Sequence, residues 1–168
     1  MTMATPATKL DQRYSDPAAK AAGWDETVRV LENAELFWIS TGRPHVTPVV
    51  AAWHEGAIWF STGQGEQKFL NLQANPHVVM TTGCAQWDRG LDVVVEGDAV
   101  QVTDDAALER AAVAFRSKWD GRWQWAARDG AFRDAESGHG EALVFAVKPV
   151  RAFAHDKGDP FGATTHRF

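Results

Sequence analysis

A single cysteine, Cys84, leaves no partner for an intramolecular disulfide, which excludes a disulfide-stapled secreted scaffold and sets the cytoplasm as the expected compartment. No run of lysine and arginine is long enough to track a nucleic-acid backbone. With 17 basic against 22 acidic side chains the net charge is −5, so neither nucleic acid nor an anionic membrane surface is an expected partner. No apolar block of signal-peptide or membrane-spanning length is present; Met1 to Tyr14 is polar and reads as a mobile arm, followed by one domain over 15–168. Several catalytic signatures are missing too: G-x-G-x-x-G, the Walker lysine spacing and G-x-S-x-G. His45, His54, His77, His139, His155 and His166 are scattered, with neither H-x-x-x-H nor a Cys/His pair, so no metal site is expected and each reads as a surface or hydrogen-bonded histidine. Cys84 itself reads as a buried apolar group.

What the chain has in excess is aromatic: eight tryptophans and nine phenylalanines against one tyrosine. Some of these rings are expected half exposed, along a groove or a subunit contact. Ser15-Asp16-Pro17 reads as a helix opening, Trp24, Val28 and Leu31 continue it at helical spacing, and Asn33 ends it. The period then changes. Leu36 to Ile39, His45 to Trp53 and Ala57 to Thr62 read as three antiparallel strands, Pro48 marking an edge or a bulge. A short helix from Glu66 to Ala74 stops at Asn75-Pro76. Val78 to Thr82 and Leu91 to Val102 are strands, the second interrupted near Gly97 by a bulge or a close backbone approach. Asp104 and Asp105 offer an N-cap for the strongest helix, on which Leu108, Ala111, Ala112, Phe115 and Trp119 share a face. Trp119, Trp123 and Trp125 read mainly as packing. Asp129 to Gly140 reads as a surface loop, Glu141 to Ala154 as one strand broken at Pro149, and the tail from Asp156 as too polar for a core strand. The fold class is therefore mainly β (α+β): an antiparallel barrel of six or seven strands with about three flanking helices.

The stretch Ser61-Thr62-Gly63-Gln64-Gly65 joins a strand to a helix. Free backbone N–H groups at the helix start, two hydroxyls and Lys68 make it a candidate phosphate seat, although such loops also serve only as connections and caps. No acid, base or nucleophile constellation stands out, so the catalytic residues are unassigned and a cofactor is the expected carrier of any reaction.

Six segments carry a family resemblance. Arg43-Pro44-His45-Val46-Thr47-Pro48, Gly56 to Gly63 and Lys68 to Val78 together resemble the pyridoxamine 5′-phosphate oxidase-like superfamily, whose fold is the FMN-binding split β-barrel. Gly90 to Ala99, Lys118 to Trp123 and Lys157-Gly158-Asp159-Pro160-Phe161 are similar to its branch of flavin- and deazaflavin-dependent oxidoreductases. The likeness spans Trp24 to Phe168. It implies a homodimer with FMN or the deazaflavin coenzyme F420 between subunits, F420 being favoured by the branch. It also implies hydride transfer to an activated double bond of a small planar substrate, with a non-catalytic flavin-, deazaflavin- or tetrapyrrole-binding protein as the alternative. By resemblance, Ser61, Thr62 and Lys68 hold the cofactor phosphate, Pro48, Val49 and Val50 line the ring, and Asp92 contacts it from the long strand; Trp87 and Trp123 are expected to wall the substrate side. Gln67 and Thr165 stand where relatives often carry arginine, and the Arg-Trp element by which pyridoxamine 5′-phosphate oxidase itself holds its substrate is not reproduced.

Overall fold

Two long strands that change partners midway give the chain its architecture. In the computed structural model, which describes residues 5–136 and 140–168, the first is β3 (His45–His54). It pairs through residues 45–50 with β2 (Leu36–Thr41) and through residues 51–54 with β4 (Ala57–Thr62). The second, β6 (Gly90–Val102), runs beside β5 (His77–Thr82) over residues 93–98, then leaves it to pair with β9 (Glu141–Val147) over residues 99–102. Gly97 sits at that change of partner, where a Cβ would lie 2.3 Å from the Lys148 carbonyl, so the close approach requires glycine. Since β4 also pairs with β9, the order β6-β5-β2-β3-β4-β9 returns to β6 as a closed six-stranded antiparallel barrel.

Alternation fills the barrel. Phe37, Ile39, Val49, Ile58, Phe60, Met80, Val93 and Val95 point inward and are buried. Helix α1 (Trp24–Asn33) lies at the mouth beside Leu36 and Leu91, and α2 (Gln67–Ala74) at the opposite mouth, where Asn71 donates to the Thr41 hydroxyl at 2.9 Å. A second layer covers the outside of β4 and β9. It is built from α3 (Asp105–Lys118) and the hairpin of β7 (Trp125–Arg128) and β8 (Ala131–Asp134), with Leu108, Phe115 and Phe132 buried against Trp59 and Val144. The Asp104 carboxylate caps α3 by accepting the Ala107 N–H at 2.8 Å. The opposite flank, outside β2, β5, β6 and β10 (Arg151–Lys157), carries no such layer among the described residues.

The barrel with three helices is the architecture expected from the sequence, but several boundaries differ. Ala7–Leu10, assigned to a mobile arm, form β1, and the tail is strand β11 (Gly162–Arg167), to which β1 pairs. Both were hidden because β11 alternates threonines and His166 rather than aliphatic residues. Helix α1 opens at Trp24 rather than near Pro17, and the stretch read as a loop over 129–140 contains β8. The single strand from 141 to 154 is two strands, β9 and β10, parted by Lys148–Val150. His139 lies outside the described residues.

His166 is fully buried and ties three elements together. Its Nδ1 is 2.9 Å from the Thr8 hydroxyl of β1, and its Nε2 is 3.1 Å from the Thr27 hydroxyl of α1. Thr27 spends its own proton on the Gly23 carbonyl, so Nε2 donates to Thr27, and in the neutral ring favoured by burial Nδ1 accepts from the Thr8 hydroxyl. Burial lowers the His166 pKa, so the unfolded chain takes up the proton first. The expected outcome in urea titrations is full stability above about pH 6.5, lost progressively as the pH falls through the folded pKa, with the His166→Gln variant losing that part of the slope. An identical pH slope in the variant would contradict the assignment.

Candidate functional site

The change of partner in β3 leaves an opening. Residues 45–50 of β3 are bonded to β2 alone and Ser61 and Thr62 of β4 to β9 alone, so the two strands diverge as a wedge whose backbone edges have no ladder between them. The loop from Gly63 to Glu66 and the first turn of α2 stand at its end. Unpaired strand edges beside a helix start give a planar ligand hydrogen-bonding backbone on one side and an anion seat on the other.

Six of the seven residues proposed from sequence meet here. Pro48 is exposed and Val50 half-buried on the outer side of β3, whereas the Val49 side chain points into the barrel core and leaves only its backbone to the wedge. Ser61 is half-buried, and Thr62 is buried on the same side of β4 as Phe60. Lys68 is buried at 7 % exposure. Asp92 does not join them, since β2 and β5 intervene between its strand and β3. Its carboxylate lies over Gly83, accepts the Cys84 N–H at 3.2 Å and pairs with Lys157 Nζ at 2.9 Å. Trp87 is 89 % exposed at the tip of the loop before β6, and Trp123 stacks on Trp125 at 6.0 Å. Cys84, expected as a buried group, is exposed in that same loop.

Two charged residues beside the wedge were not singled out from the sequence. Glu66 is the first. Its carboxylate accepts the Gly63 N–H at 2.7 Å and forms an ion pair with Lys68 Nζ, so the donors expected to hold a phosphate converge on a carboxylate of the chain itself. Burial pushes the Glu66 carboxyl up, but the hydrogen bonds from Lys68, the Gly63 N–H and the Thr62 hydroxyl outweigh it and hold the pKa below its ordinary value. The donor set therefore fits an anion. Because the Glu66 side chain is half exposed, at 51 %, it can rotate toward water and release Lys68 and Gly63 to another anion. An acidic residue two positions before the lysine was the available signal.

The second is Lys118, at the end of α3. Its Nζ donates to the Ala51 carbonyl at 3.2 Å and lies 5.6 Å from the Phe37 ring centre and 5.0 Å from that of Trp119. Burial lowers its pKa from 10.5 to about 8, with the Glu35 charge opposing the shift. Ala51 follows Val50, so this amine reaches the point where β3 changes partners. Its signal was a lone lysine closing the apolar face of a helix.

No curated protein matches the sequence. Solved structures with similar folds include a conserved hypothetical protein from Mycobacterium tuberculosis (21 % identity, 80 % of this chain and 85 % of that one, TM-score 0.66). They also include an FAD-binding protein from Mycobacterium smegmatis (18 % identity, 88 % and 99 %, TM-score 0.56). A third is an FAD-binding protein from Mesorhizobium loti (15 % identity, 97 % and 99 %, TM-score 0.58). At these identities the likeness is one of fold. The family model for pyridoxamine 5′-phosphate oxidase matches residues 24–156, from the first turn of α1 through nearly all of β10. The chain belongs to the pyridoxamine 5′-phosphate oxidase family.

Proposed function

We propose that the protein is a cytoplasmic oxidoreductase that binds F420 or FMN in the wedge between β3 and β4 and passes a hydride to an activated double bond of a small planar substrate. The observation that carries this reading is the convergence of Lys68 Nζ and the Gly63 N–H on one carboxylate at the end of that wedge. The fold shared with FAD-binding proteins supports the flavin class.

In this reading the chain's own part is to bind and orient. Lys68, the Gly63 N–H, Ser61 and Thr62 hold the phosphate once Glu66 has turned away, and Pro48, Val50 and the backbone of Val49 back the ring. The bound ring supplies the hydride chemistry. Lys118, on the carbonyl of Ala51, places a protonatable amine at the same strand.

Two copies complete the site. Leu36, Trp38 and Val46 are 46 %, 48 % and 53 % exposed on adjoining strands of the flank that has no second layer, an apolar patch that a second copy of this chain covers in the proposal. Asp92, too far around the barrel to serve its own wedge, is then the contribution of one subunit to its partner's site. A second reading, a flavin-binding protein without turnover, is favoured by Glu66 holding the anion seat and by the two FAD-binding relatives in fold. Reduction of quinone or tetrapyrrole acceptors by the loaded protein separates the two readings.

Three outcomes are expected. In titrations of the apoprotein with FMN and F420, Lys68→Ala weakens the phosphate-bearing cofactor by about 1.5–3 kcal/mol, whereas Glu66→Ala tightens it by roughly tenfold because the internal competitor is gone. Dissociation constants unmoved by both changes would place the phosphate elsewhere. Sedimentation of the wild-type chain gives twice the monomer mass and Trp38→Glu gives the monomer; a wild-type monomer would contradict the two-chain site. In NMR spectra of lysine-labelled protein the Lys118 amine titrates with a midpoint of about 8, and a midpoint at the ordinary 10.5 would show that it is solvated.

A further inference from the structure

Strand β1 adds little to the core. Ala7, Thr8 and Lys9 are exposed, yet the segment is fastened to β11 by a full antiparallel register and by the Asp11 N–H donating to the Ala163 carbonyl at 2.7 Å. What it does bring is side chains to the outer face of the sheet. Residues directly opposite one another across antiparallel strands share a face. One row on that face therefore reads Lys9, Thr165, Phe153, Val94, and the next reads Ala7, Arg167, Arg151, Glu96.

The charges of these rows do not balance. Arg151 is bound to Glu96 at 2.7 and 2.8 Å, and Arg13 holds both oxygens of Asp11 at 3.0 and 2.8 Å. Lys9 and Arg167 make no ion pair or hydrogen bond among the described residues, although Lys9 attracts Asp11 from a distance. Four cations (Lys9, Arg13, Arg151, Arg167) against two carboxylates (Asp11, Glu96) leave an excess of two positive charges, in a chain whose net charge is −5. Arg167 stands directly opposite Arg151, an arrangement that repels unless an anion lies between them. Lys9 is the diagonal neighbour of Arg167, at a Cβ spacing of about 7–8 Å, which one carboxylate, sulfonate or phosphate group can bridge with two long side chains.

Beside the cations lies an aromatic trough. A cavity of about 970 Å³ is lined by Lys9, Arg13, Arg151 and Arg167, and shares Phe153, Thr165 and Asp11, whose carboxylate Arg13 holds, with a mainly apolar cavity of about 650 Å³. Tyr14, Val94, Phe153, His155 and Phe161 wall the second, with Tyr14 65 % and Phe161 37 % exposed. A few converging charges at the rim of an apolar hollow suit a ligand with an apolar body and a charged end.

We propose that the outer face of β1, β10 and β11 binds a planar aromatic anion, its ring in the trough of Tyr14, Phe153 and Phe161 and its charge between Lys9 and Arg167. The site shares no residue with the flavin seat around Lys68, and β11 is four strands from the apolar patch on β2, or about 19 Å along the sheet at about 4.8 Å per strand; only His155, at the far end of the trough, stands opposite Asp92.

The test is titration with 1-anilinonaphthalene-8-sulfonate and with N-phenyl-1-naphthylamine, the same ring system without the charge. The sulfonate is expected to saturate at one per chain and to weaken in high salt. In the K9Q/R167Q variant, whose two changes fall on exposed side chains, it should weaken by tenfold or more while the neutral ring binds unchanged. Lys68→Ala should leave the sulfonate unaffected, and K9Q/R167Q should leave FMN unaffected. Absence of saturable sulfonate binding, or equal affinity in K9Q/R167Q, overturns the proposal. So does loss of FMN in K9Q/R167Q, which would make this face part of the flavin seat. Loss of FMN in Lys68→Ala alone bears only on the wedge.

Discussion

The constraint on which the rest of the molecule depends is that β3 does not pair with β2 and β4 along the same residues. Closing a barrel of only six strands forces tilt and curvature, and here the chain meets it by letting β3 serve one neighbour up to Val50 and the other from Ala51 onward. The cost is a pair of strand edges with free backbone groups between Val50 and Ser61. Those groups need a partner, so the device that closes the core also opens a site. The matching device on the far side, at Gly97 of β6, leaves no such opening because the Lys148 backbone comes to within contact of it. One partner change is sealed and the other is not.

The seat at the end of the wedge is charged before any ligand arrives. A buried lysine costs free energy unless a counter-charge is near, and Glu66 supplies one from two residues away on a side chain half in water. In the proposed seat a phosphate would have to displace that counter-charge on entry, so the pair would lower affinity while keeping Lys68 in place. Lys118 shows the complementary case: it has no carboxylate within ion-pair distance among the described residues, and burial brings its pKa toward neutrality instead.

The sequence revealed the barrel where burial follows alternation, as in β2, β3, β4, β5 and β6, and where a cap and a face coincide, as in α3. It concealed the elements whose inward residues are polar. β11 buries Thr164 and His166, a pattern that reads as surface until the Thr8 and Thr27 hydroxyls on neighbouring elements are known to satisfy the imidazole. β1 is polar for the same reason, being an edge strand with nothing to put in the core. Ser61, Thr62 and Lys68 were legible as a group because they lie on one strand, loop and helix in succession, whereas Pro48, Val49 and Val50 joined them only through the family resemblance. Asp92 fell into that group by resemblance, but distance around the barrel is a property of strand order and is not written locally. Glu66 was in plain view as a helix start; that its carboxylate turns back onto Lys68 depends on the path of the loop between Thr62 and Gln67.

The central claim is that the wedge between β3 and β4 is a seat for a phosphate-bearing ring held by Lys68. A crystal structure of the protein grown with FMN or F420 tests it most directly. The account predicts the cofactor phosphate on Lys68 Nζ and the Gly63 N–H, Glu66 rotated into solvent, and the ring along Pro48 to Val50. A structure in which Glu66 keeps its bond to Lys68 while the cofactor binds elsewhere, or not at all, would contradict it.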